Sequence, residues 1–356
     1  MAIIRALEVG FGTTSLTTGT DDRNRPKILT FPSFVAQVDP TKAGLNAGLN
    51  TRNTVTVSIN DNKYEVGPDA HLAADKTSNR VLNSTYISSV QYQALLFGSF
   101  VYMDTPKIDL LVLALPVENW SRRDELTKLV LGDHEINGQK YSVKNVWVIT
   151  QPMGGLLAYA NQIGQAGFNE IRDMNILSVD PGYGTFDFIT STGLKVNDAR
   201  SGGEELGMSA VLDSVGKILR TCFPNLNDFP IEKIDEAFWK NNGFIRISGK
   251  KYPFPVCSGK TSDGKPTDIK FDITGAVNQV TNAAVTKLKN KVGSGGDLDL
   301  IILMGGPHKV YLPALQKAYP DHEIVIVKNP LSSICEGMHY GGAQYYNSLQ
   351  KSKRSR

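Results

Sequence analysis

A chain of 356 residues, 41% hydrophobic and 21% charged, has material for two domains of ordinary size. Its net charge of +3 is too small to mark a nucleic-acid binder by itself. Cys222, Cys257 and Cys335 lie too far apart for a disulfide framework or a zinc spacing, which fits a reducing compartment. The longest purely apolar run, Leu110 to Leu115, falls far short of a membrane span, and the first residues lack the apolar core of a signal peptide. The expectation is a soluble cytoplasmic protein with no membrane contact.

The chain opens with a strand over Ile3 to Leu7, a glycine turn and a second strand near Leu16. Residues 39–54, rich in Gly, Asn and Thr, read as a loop. Val55 to Ile59 alternates, Asp61-Asn62 turns, and Lys63 to Val66 continues as a hairpin. Ser84 can cap a helix on which Ile87, Val90, Ala94, Leu95 and Phe97 recur at helical spacing. Leu110 to Leu115 is a buried strand stopped by Pro116, Arg122 to Leu131 a helix, and Val143 to Ile149 another strand. The pattern changes near Gln151-Pro152-Met153-Gly154-Gly155, which places a domain boundary there. A helix over Leu156 to Gln165 leads to a second strand and glycine turn. Gly202-Gly203 precede a helix from Leu206 to Leu219, and a short helix spans Ile231 to Trp239. Residues 244–272 read as strands around the loop Ser258 to Pro266. Ile273 to Val292 is a long helix with Val277, Val280, Ala284 and Leu288 on one stripe. The strand Leu300 to Met304, a third glycine turn, a helix through Leu315, a strand over Ile324 to Val327 and a helix from Pro330 to Tyr346 complete the pattern. Lys351, Lys353, Arg354 and Arg356 then read as a solvated, frayed basic tail. Alternation of strands and helices in both halves predicts α/β domains with helices covering mixed sheets.

Two of the glycine turns are copies of one another. Glu8-Val9-Gly10-Phe11-Gly12-Thr13 and Asp180-Pro181-Gly182-Tyr183-Gly184-Thr185 both read acid-x-Gly-aromatic-Gly-Thr, 172 positions apart, and both follow an apolar run. Glycine lets the backbone turn tightly and approach a ligand. Successive N–H groups in such a turn form a concave site for phosphate oxygens, and the preceding acid can face a cation bound to that phosphate. The third turn, Met304-Gly305-Gly306-Pro307, adds another close approach. Two matched phosphate clamps and a further glycine turn describe a nucleotide held in a cleft. Asp180, beside a turn, is expected as an exposed loop carboxylate; Asp187 is either an acid behind the site or the solvent face of a strand. No spacing of His71, His134, His308, His322 and His339 suggests metal ligation.

These motifs, in this order, resemble the actin-like ATPase superfamily, and within it the ParM/StbA-type plasmid-partition actins. Glu8 to Ser15 resembles the family's first phosphate loop and Asp180 to Asp187 its second. Leu113 to Pro116 resembles a strand end of the first domain, Val148 to Pro152 the first connection, and Leu206 to Ser209 the helix start after the second loop. Leu303 to Pro307 resembles the adenosine loop and Asn329 to Met338 the second connection. Two departures stand out: Glu8 where the family usually has Asp, and Ser15 where it often has Lys. A lost lysine would remove a charge-assisted hydrogen bond of about 1.5–3 kcal/mol.

The resemblance implies a two-domain actin-like fold with a nucleotide cleft between the domains. It divides the chain into residues 1–150, with a helix at about 335–350 packing back onto them, residues 151–334, and a basic tail at 351–356. Gly10, Gly12, Thr13, Thr14 and Ser15 would hold phosphate from one side, and Gly182, Tyr183, Gly184 and Thr185 from the other. Glu8 and Asp180 would face Mg2+ through its waters, and Gln151 would position the attacking water. Gly305, Gly306 and Pro307 would admit the adenosine, with Lys217 a further candidate for nucleotide contact. The cofactors implied are ATP or GTP with Mg2+. The function implied is a filament-forming ATPase in plasmid or other DNA segregation. Its partners would be copies of itself and a DNA-binding adaptor on centromere-like DNA, with no direct sequence-specific DNA contact. A small-molecule kinase on the same fold and a non-catalytic nucleotide-binding scaffold are the alternatives.

Overall fold

A computed structural model describes residues 2–39, 41, 51–73, 86–226 and 229–354. Strand β1 (Ile4–Val9) turns into β2 (Thr13–Thr20). Two strands without a clear sequence signal follow, β3 (Pro26–Pro32) and β4 (Val35–Gln37). The hairpin of β5 (Val55–Ile59) and β6 (Asn62–Val66) turns at Asn60 and Asp61, both at positive φ, one residue earlier than the sequence suggested. Helix α1 (Val90–Tyr102) is capped by Ser89, whose hydroxyl accepts the N–H of Tyr92; the expected cap, Ser84, lies outside the described residues. Then come β7 (Lys107–Ile108), β8 (Leu110–Leu115), a 3-10 turn over Val117–Arg122 and α2 (Arg123–Val130). The strand expected over Val143 to Ile149 is the junction of two, since β9 (Gly132–Ile136) pairs with β10 (Gln139–Val143) and β11 (Val146–Thr150) starts afresh.

Helix α3 (Gln151–Ile171) begins at the expected boundary itself, with Pro152 in its first turn, and is interrupted at Gly164, φ +71. The second half repeats the opening with β12 (Asn175–Pro181), β13 (Phe186–Thr192) and β14 (Lys195–Glu204). Gly202 and Gly203 belong to β14, and α4 (Met208–Cys222) starts two residues later than expected. Helix α5 (Ile231–Lys240), the hairpins β15 (Phe244–Ile247) with β16 (Lys250–Pro253) and β17 (Val256–Lys260) with β18 (Pro266–Asp272), and α6 (Thr274–Val292) follow. β19 (Leu300–Leu303), α7 (His308–Ala318), β20 (Ile324–Ile326) and α8 (Ser333–Arg354) close the fold. The basic segment read as a frayed tail is helical through Arg354, because α8 runs on past Tyr346; Arg356 is outside the described residues.

The two large sheets share one topology. The first has the order β11-β8-β1-β2-β3 and the second β14-β13-β12-β19-β20. In each, three strands form an antiparallel meander, and two further strands join the first of them in parallel. The register repeats as well: Glu8 stands opposite Ser15, and Asp180 opposite Asp187. The duplicated motif in the sequence is thus one corner of a duplicated sheet.

Each sheet buries an outer face of its own. Leu7, Val9, Leu16, Leu95, Phe100 and Leu113 are among those packed on the first, and Leu177, Val179, Phe186, Val211, Leu288 and Leu303 among those on the second. A third core joins the sheets: Ala6, Leu110 and Val112 from one and Ile176, Ile302 and Met304 from the other close around α3 and α8. Strands buried on both faces read as continuous apolar runs, which is why β8 was so plain in sequence. Helices α3 and α8 meet at glycines. A Cβ on Gly154 would fall 2.8 Å from Ile334, and one on Gly337 would overlap the Gly154 carbonyl and the Ala158 nitrogen. The chain passes between the sheets twice, just before each of these helices ends or begins: through α3 and through the segment ahead of Ser333.

Candidate nucleotide site

The two copied turns close in the same way. The Gly10 N–H donates to the Thr13 carbonyl at 3.0 Å, and the Gly182 N–H to the Thr185 carbonyl at 2.7 Å. These two N–H groups are spent on the turns and do not face a ligand. The loop carbonyls are tied back too. Gly10 O accepts from Ser33 Oγ (2.5 Å) and Tyr86 Oη (3.3 Å), and Gly12 O from the Ser33 N–H (2.9 Å). In the second loop, the carbonyls of Gly182, Tyr183 and Gly184 accept N–H groups of Met208, Ser209 and Gly207 at the start of α4 (3.0, 2.8 and 3.3 Å). With carbonyls held on one side, the opposite side presents N–H groups, the polarity an anion needs. Among the described residues, the N–H groups of Gly12 and Gly184 make no hydrogen bond.

The loops also pack on each other by exchanging aromatic rings for glycines. A Cβ on Gly12 would lie 2.5 Å from Tyr183, and one on Gly184 would lie 2.6 Å from Phe11. Tyr183 touches the cores of both sheets, and Phe11 stacks on Tyr86 at 4.7 Å. Only glycine admits this mutual approach.

Most of the loop hydroxyls are already engaged. Thr14 pairs with Ser33 (2.9 Å), Ser15 with Thr30 (2.9 Å), and Thr185 donates to Asp187 (2.5 Å). Ser15 and Thr14 are buried in β2 and brace the first sheet, so the structure does not place their hydroxyls toward a phosphate. Thr13 is partly buried, and its hydroxyl has no partner among the described residues. Lys217 lies on the exposed face of α4.

Carboxyl groups gather beneath the loops. Glu8 and Asp180, at the ends of β1 and β12, are 9% and 3% exposed, and Asp187 is fully buried. Asp180 is therefore no surface carboxylate, and the strand position of Asp187 is not a solvent face. Gln151, first residue of α3, donates from Nε2 to Glu8 Oε1 at 3.0 Å. Burial pushes the Glu8 carboxyl up to about 7, and the Gln151 bond pulls it back. Burial, then the charges of Glu8 and Asp187, hold Asp180 well above the ordinary range. Asp187 is raised to about 7 by burial, against the hydrogen bonds from Thr185 and Val117. No hydrogen bond reaches the Asp180 carboxyl among the described residues.

This donor set fits a hydrated divalent cation. Glu8 and Asp187 both act on the buried Asp180, a crowding of acids that calls for positive charge, and no basic side chain bears on Glu8, Asp180 or Asp187. Among the described residues no group of three or more His, Cys, Asp or Glu is spaced for direct ligation, so contact through metal-bound water suits the geometry.

Gly305, at φ +80, places the third turn against this cluster: a Cβ there would lie 2.5 Å from Asp180 Oδ1. Gly306 faces Leu331, which is 49% exposed, and Pro307 leads into α7. The structure thus brings together Glu8, Gln151, Asp180, both phosphate-type loops and the third turn. Sequence reasoning missed Ser33, Tyr86 and Thr30, the residues that hold the first loop's shape. Their separation from Gly10 and Ser15 carries no local signal.

A pH dependence follows. Unfolded Glu8 loses its proton near 4.5 and folded Glu8 near 7, so the folded state binds more protons in between. Glu8's contribution to the stability of the nucleotide-free protein is full below pH 4.5 and lost as pH rises through about 7, on the order of 3 kcal/mol. Thermal melts between pH 5 and pH 8 should show this decline, and it should be shallower in Glu8→Gln. Equal slopes for the two proteins would remove Glu8 as the source.

Residues 6–154 match the family model described as actin like proteins N terminal domain. No curated protein matches the chain in sequence. Solved structures share its fold along nearly the whole length. Ta0583, an archaeal actin homolog, superposes with a TM-score of 0.72 at 14% identity, over 96% of this chain and 99% of its own. The apo psk41 ParM protein gives 0.63 at 16% identity, over 98% and 99%. A ParM from Clostridium botulinum, solved as a 15-stranded filament, gives 0.67 at 16% identity, over 97% and 100%. Among the described residues no helix is long and apolar enough to cross a membrane. Residues 6–154 thus match the model of an actin-like N-terminal domain, and the whole chain adopts the two-domain fold of Ta0583 and ParM.

Proposed function

We propose that this protein binds a nucleoside triphosphate with Mg2+ between its two sheets, hydrolyses it, and assembles into filaments that act in DNA segregation through a DNA-binding adaptor. The observation that carries the reading is the convergence of Gln151, Glu8 and Asp180 beneath two loops whose carbonyls are tied back. Supporting it, Ta0583 has been solved as a complex with ADP, and the Clostridium botulinum ParM as a filament. The two domains in this reading are residues 1–150, with α8 packed on β1, β8 and α3, and residues 151–334.

Gly12 and Gly184 donate backbone N–H groups to phosphate oxygens, and Thr13 adds a hydroxyl. Glu8 and Asp180 are the residues that would hold the hydrated cation. Mg2+ supplies positive charge to the phosphates, the main requirement of phosphoryl transfer. Gln151 is held by Glu8 through Nε2, leaving its Oε1 to orient an attacking water. An amide cannot serve as a strong base, so nothing at this position activates an acceptor hydroxyl as a kinase requires. Gly305, Gly306 and Leu331 form the approach for the base.

The test is phosphate release and sedimentation with ATP, GTP or no nucleotide. Nucleotide-dependent pelleting with phosphate release is expected. Phosphate release without pelleting would remove the filament assignment, and neither would remove the ATPase reading. Gln151→Ala should bind nucleotide and assemble, yet release phosphate at least about tenfold more slowly, so that its filaments persist. Disassembly and release at wild-type rates would separate Gln151 from the chemistry.

A further inference from the structure

Ser15 and Asp187 occupy the same place in the two copies of the sheet, opposite Glu8 and Asp180 respectively. Their side chains do different things. Ser15 bonds to Thr30 on β3 and stays within its own sheet. Asp187 leaves its sheet: Oδ1 accepts the Val117 N–H at 2.7 Å, from the residue that follows β8 and Pro116 in the other sheet. The next residue answers in the opposite direction. Glu118 Oε1 accepts the N–H of Gly203 on β14 at 3.1 Å. Gly203 has to be glycine here, because a Cβ would lie 2.5 Å from Asp187 Oδ1 and 3.1 Å from Glu118. Two carboxylates thus cross the gap between sheets in opposite directions within a few residues of one another.

Position and chemistry give this pair a purpose. The chain itself joins the sheets at two crossings, through α3 and ahead of α8. Two crossings define an axis, and rotation about an axis is the one freedom they leave. Ties away from the crossings resist it: the Phe11–Gly184 and Tyr183–Gly12 contacts of the loops do so by packing, and the two carboxylates do so by directed hydrogen bonds. The groups proposed for chemistry are split by that freedom: Glu8 and Gln151 belong to the first sheet and its connection, Asp180 to the second. Thr185 of the second loop is bonded to Asp187 Oδ2, so the tie and the loop move together.

We propose that Asp187 and Glu118 form a two-armed latch that fixes the rotation of one sheet against the other and so sets the spacing of Gln151 and Glu8 from Asp180. They are positioning residues. The inference rests on the hydrolytic reading above for its kinetic consequences, and on geometry alone for its structural ones. Asp187 is the stronger arm, being fully buried, while Glu118 is exposed.

The experiment compares Asp187→Ala, Asp187→Asn, Glu118→Ala and Glu118→Gln with wild type. The readouts are phosphate release, nucleotide affinity and amide hydrogen exchange at Val117 and Gly203. Asp187→Ala should lower kcat at least tenfold with less than a threefold change in affinity, a split that general destabilisation does not produce. Asp187→Asn keeps an oxygen for the Val117 N–H and should recover most of the rate. Glu118→Ala should cost about two- to threefold, Glu118→Gln should recover it, and the two alanine changes together should cost less than their product, because both free one rotation. Exchange at Val117 should quicken in Asp187→Ala and at Gly203 in Glu118→Ala. If Asp187→Ala does not fold, the exposed Glu118 pair and the asparagine variant carry the test. A wild-type kcat in Asp187→Ala, or an asparagine variant as slow as the alanine one, would overturn the latch. Should wild type release no phosphate, the hydrolytic reading fails, and the exchange rates alone decide: unchanged protection at both amides overturns the latch, and selective loss supports it.

Discussion

Replacing Asp180 by alanine should slow phosphate release by up to about 10²-fold and, at pH 7.5 without nucleotide, make the protein harder to melt. The two effects have one source. Asp180 is 3% exposed, no hydrogen bond reaches its carboxyl among the described residues, and Glu8 and Asp187 both bear on it. A buried carboxyl that accepts no hydrogen bond costs free energy in the folded state, most of all when ionised beside other acids. Its removal relieves that cost. The same crowding of acids is what a hydrated cation would answer, so function is lost with the strain. Losing an outer-sphere metal contact is worth about 10²-fold. The melting temperature should rise by roughly 1–2 °C for each kcal/mol relieved. Phosphate release within tenfold of wild type would take Asp180 out of the site. A lower melting temperature would mean that its carboxyl is compensated after all.

Gly337→Ala should destabilise the fold by about 2–3 kcal/mol, although alanine is the better helix former. The residue sits inside α8, where propensity alone would favour alanine by about 1 kcal/mol. The added methyl would overlap the Gly154 carbonyl and the Ala158 nitrogen of α3, both backbone atoms that no rotamer change can move aside. Overlap therefore outweighs propensity, and α3 and α8 must separate. Gly275→Ala is the control: it lies in α6 with nothing within 4 Å of its Cβ position, so propensity should act alone and stabilise. Denaturant titration of the three proteins is the measurement. A Gly337→Ala protein as stable as wild type would show that the two helices yield easily.

Much of this fold was legible because its signals are local. The Gly-aromatic-Gly-Thr turn, its recurrence 172 positions on and the apolar run before each copy are properties of short windows. So is β8, apolar throughout. The start of α3 was missed although Pro152 is a known first-turn residue, because Gly154 and Gly155 read as a break; their purpose is contact with Ile334 and Met304, far along the chain. β3 was missed because it begins and ends in proline and does not alternate. In the site, the acids and glycines were found by their turns. The Gln151–Glu8 bond spans 143 positions, the Tyr86–Gly10 bond 76 and the Val117–Asp187 bond 70. Such pairs exist only once the sheets are built. Ser15 fitted a phosphate loop by position, yet the pleat turns its hydroxyl to Thr30.

Helix α8 begins two residues after Leu331, beside Gly306, and continues for 22 residues while packed on β1, β8 and α3. It is a rod anchored to one sheet with its near end at the margin of the other. At 1.5 Å per residue the rod is about 33 Å long, so a turn of about 5° between the sheets would carry its far end through an arc of roughly 3 Å. A displacement too small to notice around a phosphate becomes, at Lys351 and beyond, as large as a hydrogen bond is long. Whatever meets that end of the helix would then register the angle of the cleft without touching it.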